Sequence, residues 1–201
     1  MGKKFRENTG LTVIEMMVAT LVLMLLALML GTGLQMALHS YETVVAQAEL
    51  ELLVSTAVDA IADDLRYARD VTHGNEYEYT TADDGTVSPT SITGGFTYTS
   101  DSFYGEGAYL ALNSDHQIRA CTSTYTNGMR VLSTGSYGSG GVSYKEYWVT
   151  YLKVTPTYNA SSGEVAFTIE LTAKTADGKL SASTPSGGVT VRCLNPYKTT
   201  T

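Results

Sequence analysis

The spacing of hydrophobic and polar positions changes twice along the chain. From Met16 to Leu34 no residue is charged, and about 20 apolar residues rising 1.5 Å each would cover the ~30 Å of bilayer hydrocarbon. Glu15 stands at the lip of this run, where a carboxylate near the bilayer centre costs roughly 2.5–3.5 kcal/mol on insertion scales. Past Leu38 the composition becomes mixed without a turn signal. Leu50, Val54, Ala57, Val58, Ile61, Leu65 and Ala68 recur three and four residues apart, which marks one face of a helix. Glu42, Glu49, Glu51, Asp59, Asp63, Asp64 and Arg66 interleave with them and assign the other face to charge. All four prolines lie beyond Val71, and only Gly31 and Gly33 interrupt the stretch from Leu11 to Val71. One helix from about Leu11 to about Val71 is therefore predicted, weakest at those two glycines and closed by His73-Gly74 with Gly74 as its C-cap.

Beyond Gly74 the period becomes two. Glu76 to Thr80 and Phe96 to Thr99 alternate, with turns at Asp83-Asp84-Gly85 and Gly94-Gly95. Ala108 to Leu112 and Gln117 to Ala120 read as short strands joined by Asn113-Ser114-Asp115, and Ser133 to Gly141 as an exposed loop. The clearest element is a hairpin turning at Asn159 to Gly163. Val142, Tyr144, Trp148, Leu152 and Val154 share a face of its first strand, and Val165, Phe167, Ile169 and Leu171 a face of its second. A last strand spans Val189 to Leu194, before a loose tail from Lys198 to Thr201. A helix followed by antiparallel strands is an α+β pattern, in which the sheet packs on the amphipathic half of the helix.

Composition adds compartment and excludes some functions. A chain of 201 residues suits one soluble domain plus the membrane segment, and its net charge of −7 leaves no basic face for nucleic acid. The two cysteines, Cys121 and Cys193, both lie in the part outside the membrane. In an oxidising compartment a disulfide between them is expected; the alternative is two buried free thiols.

The leader sharpens this picture. Lys3, Lys4 and Arg6 precede Gly10-Leu11-Thr12-Val13-Ile14-Glu15 and the uncharged span. This arrangement resembles the class-III signal of type IV prepilins and type II secretion pseudopilins. The resemblance implies cleavage after Gly10 by a membrane prepilin peptidase, methylation of the new terminus, and a glutamate five residues on, here Glu15, that serves assembly. The residue after the cut is usually Phe and is Leu11 here. The resemblance also implies a pilin-like fold, without cofactor, divided into a leader (1–10), a transmembrane and assembly half-helix (11–38), an amphipathic half-helix (39–73) and an extracytoplasmic sheet domain (74–201). Partners would be other pilin subunits, the peptidase and the membrane; Asp64-Leu65-Arg66 resembles a triplet of minor pseudopilins. A single-pass anchored binding or adhesion protein is the alternative, with the basic leader kept in the cytoplasm.

Catalytic patterns are sparse, and no enzyme is expected. His39, His73 and His116 form no HExxH, and CxxC, GxSxG and phosphate-loop patterns are missing. Ser114-Asp115-His116 has triad residue types, but triads assemble in space rather than in adjacent positions. Asp83-Asp84 falls short of the six to eight oxygens a calcium ion takes. Fourteen tyrosines suit contact surfaces, with Tyr104, Tyr125 and Tyr137 the loop candidates. Asn159-Ala160-Ser161 matches a glycosylation sequon.

Overall fold

The computed structural model describes residues 13–82, 85–91, 94–102, 105–126, 128–132 and 147–196. It has an α+β layout: helix α1 (Val13–Arg66), then, among the described residues, ten strands. By internal contacts the chain divides into two units, Met1–Val45 and Ala46–Thr201, and α1 contributes to both.

In the first unit α1 is continuous through Gly31 and Gly33, whose Cβ positions meet nothing within 4 Å. Its apolar side chains are exposed. The hydroxyls among them turn back onto the helix: Thr20 Oγ1 donates to Met17 O (2.9 Å), and Thr32 Oγ1 lies 3.1 Å from both Leu28 O and Met29 O. These polar groups are thereby satisfied internally, as an apolar surrounding requires.

In the second unit the predicted stripe is the buried one. Leu50, Val54, Ala57, Val58, Ile61, Leu65 and Ala68 all belong to the core. Strands β1 (Tyr77–Thr81), β2 (Val87–Ser91), β7 (Tyr147–Asn159), β8 (Glu164–Thr175) and β10 (Val189–Arg192) form an antiparallel sheet in the order β10-β8-β7-β1-β2. The short β9 (Ser181–Ser183) also pairs with β8. A second sheet has the order β3-β4-β5-β6, from β3 (Tyr98–Ser100), β4 (Gly105–Leu112), β5 (Ile118–Cys121) and β6 (Met129–Arg130). Phe96 sits within the core with its ring 4.5 Å from Tyr77 and 5.1 Å from Phe167. Val149 N–H donates to His116 O (3.2 Å), tying β7 to the turn between β4 and β5.

Several expectations need correction. The helix stops at Arg66, before Val71 and His73, because partners distant in sequence take its end. Leu194 N–H donates to Arg66 O (2.9 Å), and Asn195 Nδ2 reaches the carbonyls of Tyr67 and Ala68. Arg69 and Thr72 then pair with Thr99 and Thr97. Gly74 is no C-cap; a Cβ there would lie 2.4 Å from Phe96 N, so it serves a close backbone approach.

The hairpin of β7 and β8 turns where expected, and Val165, Phe167, Ile169 and Leu171 face inward. In β7, however, a bulge between Val149 and Tyr151 changes the phase. Val149 and Leu152 are buried, and Trp148 points outward. β2, β6 and β9 have no clear period-two signal in the sequence. β2 carries Pro89 and lies at the sheet edge, where a missing donor is tolerated; β9 is Ser-Ala-Ser without alternating hydrophobicity. The disulfide is not formed. Cys121 and Cys193 are buried free thiols, lying against the carbonyls of Thr126 (3.4 Å) and Ala68 (3.3 Å). Burial pushes both thiols above their ordinary range.

Candidate functional site

Gly10 and Leu11 of the expected processing motif lie outside the described residues, as do Asp83, Asp84, Tyr104, Tyr137, the expected Ser133 to Gly141 loop, Val142 and Tyr144 of the expected hairpin strand, and the expected tail from Lys198 to Thr201. Glu15 is placed in the first turn of α1. An acidic side chain there opposes the positive end of the helix dipole. The apolar run directly follows it, and Met16, Leu21, Leu25 and Leu30 are each at least half exposed. By length and composition this is the one helix, among the described residues, able to cross a membrane. A continuous apolar surface of this size marks a membrane or a partner.

The other sequence-selected residues are not brought together. Asp115 pairs with Arg119 (3.4 Å) and accepts a hydrogen bond from Asn113. His116 turns inward at φ 58 and stacks on Trp148, centroids 4.4 Å apart at 11°. Burial lowers its pKa. Ser114 is exposed on the same turn, so no hydroxyl-imidazole-carboxylate relay is built. His73 stacks on Tyr158 at 4.3 Å. Among the described residues no group of three or more His, Cys, Asp or Glu could hold a metal ion. Tyr125 is exposed, and Asn159 Oδ1 accepts the N–H groups of Ser161 and Ser162 within its turn.

One polar site escaped the sequence reading. The sequence places Asp64 on the charged face, yet only 6 % of it is exposed. Its carboxylate accepts from Tyr98 OH (2.7 Å) and Ser100 Oγ (2.5 Å), joining the end of α1 to β3. Desolvation by burial is the main cause that raises its pKa, with the Asp101 charge adding to it and the hydroxyl donors opposing. Tyr98 is raised well above its ordinary value, chiefly by burial and then by Asp64. Helical phase contained the signal: Asp64 is three residues from Ile61 and seven from Ala57, in line with the apolar stripe.

No protein-family model, curated protein or solved structure matches this chain.

Proposed function

We propose that this chain is a structural subunit, of the minor kind, in a type IV pilus or related pseudopilus. In this reading it inserts with Lys3, Lys4 and Arg6 inside and is cut after Gly10 by a prepilin peptidase. It then waits in the membrane with its sheet domain outside. Assembly moves the apolar face of α1 from lipid to the same face of neighbouring subunits. Glu15 meets the amine of a neighbouring Leu11 and sets axial register, since a charge held in an apolar surrounding is tolerated when paired.

The observation that carries the proposal is the division of one helix. Its first part is uncharged, exposed and headed by Glu15, while its later part buries one face in an α+β domain. That division suits a subunit that holds to membrane or filament by one part and displays a folded domain by the other.

Mass spectrometry of the N-terminus tests the processing step. A mature chain starting at Leu11, with or without an added methyl group, supports the proposal, whereas a retained leader favours a membrane-anchored binding protein. Glu15→Gln separates insertion from assembly. The variant is expected in the membrane fraction at wild-type level and lost from sheared filaments; normal incorporation would sink the assembly role of Glu15.

A further inference from the structure

β9 and β10 pair with different parts of the same edge of β8, Thr172–Lys174 and Ala166–Ile169 respectively. Between them the chain turns, with Gly188 N–H closing on Pro185 O at 2.9 Å. This interruption opens a cleft of about 220 Å³ between the sheet edge and the later part of α1. Val54, Val58 and Ala182 give it a buried apolar floor. Its helical lip is Glu51, Ser55 and Asp59, all exposed and four residues apart. One carboxylate thus stands at each end of a column about 12 Å long. Glu51 accepts a hydrogen bond from Gln47 (2.9 Å), and among the described residues no Lys or Arg lines the cleft and neither carboxylate has an ion-pair partner.

An apolar floor under a carboxylate lip complements a lysine: the methylene stem lies on the valines and the ammonium reaches a carboxylate. The same domain carries such side chains outside the cleft. Lys174 and Lys179 flank the turn between β8 and β9, and both are exposed. Lys179 pairs with Asp177 at 3.0 Å, but its side chain is 80 % accessible, and exposed pairs of that kind hold weakly. A copy can therefore offer its turn to one neighbour while its cleft receives the turn of another. Such a head-to-tail contact leaves a surface open at each end and propagates wherever its rotation does not close a ring.

We propose that the cleft between α1 and the β9–β10 edge receives the Lys174–Lys179 turn of a second copy of this chain. The inference deepens the filament reading by naming an intersubunit contact of the sheet domain, and it rests on that reading.

The test uses two differently tagged full-length chains, one with Ser55→Cys and the other with Ala176→Cys, coexpressed and treated in membranes and filaments with a short bismaleimide. Chains holding only the buried Cys121 and Cys193 serve as the background. A covalent dimer bearing both tags is expected, lost when Glu51→Lys and Asp59→Lys are added to the first chain. It should return when Lys174→Glu and Lys179→Glu are added to the second. Absence of the dimer overturns the inference, as does a Ser55→Cys chain that cross-links to its own kind or to a different protein. The filament reading fails separately: a retained leader would sink it even where the two-tag dimer forms.

Discussion

Asp64 shows what one buried charge does to this domain. Its folded-state pKa is raised above the ordinary 3.8, mainly by burial. The proton it holds is therefore bound more tightly folded than unfolded, and its contribution to stability is fully present below pH 3.8. It is lost as pH rises through the folded value. Asp64→Asn removes the charge and keeps an oxygen for Tyr98 OH. We expect it to melt higher than wild type at pH 7.5, with the difference vanishing near pH 3.5. Asp64→Ala differs, because it leaves the buried Tyr98 hydroxyl without its acceptor, at a cost of about 1–3 kcal/mol. Thermal unfolding of the full chain in detergent, followed through the single tryptophan, Trp148, distinguishes the two variants. A wild-type melting temperature that rises from pH 3.8 to 7.5, with an Asn variant that never exceeds it, would reject this account.

Among the elements, α1 was the most legible from sequence and its C-terminus the least. Three- and four-residue spacing located the buried face, since Leu50, Val54, Ala57, Val58, Ile61 and Leu65 line up at that period. The stop at Arg66 depends on Leu194 and Asn195, more than 120 residues away, and no local pattern encodes it. Asn195→Ala should strip the side-chain donor from Tyr67 O and Ala68 O and cost about 1 kcal/mol. Amide hydrogen exchange should then quicken in the last turn of α1 and remain unchanged in β7 and β8. Uniformly faster exchange would mean that Asn195 supports the whole domain rather than the helix end. β7 makes the same point, because its bulge buries Val149 and turns out Trp148. A strict period of two cannot register an inserted residue.

At the scale of the molecule, the sheet unit owes its cohesion to a core shared between α1 and both sheets. Phe167 lies in it fully buried, its ring against Phe96. Phe167→Ala is expected to destabilise the folded domain by about 3–5 kcal/mol, lowering the denaturant midpoint of Trp148 fluorescence. Membrane insertion through the exposed part of α1 should be unaffected, and loss of the variant from the membrane fraction would contradict that division of labour.

The sequence by itself determined the apolar run after Glu15, the buried stripe, the inward face of β8 and the α+β order, because each is a local periodicity that survives without its partners. Tertiary structure alone decided where α1 ends, that Asp64 is a buried acceptor rather than a surface charge, and that Cys121 and Cys193 remain apart as thiols. It also formed the cleft beside β9. Each of these depends on which distant segment arrives to take a hydrogen bond, exclude water or leave a gap, and spacing along the chain carries no record of that arrival.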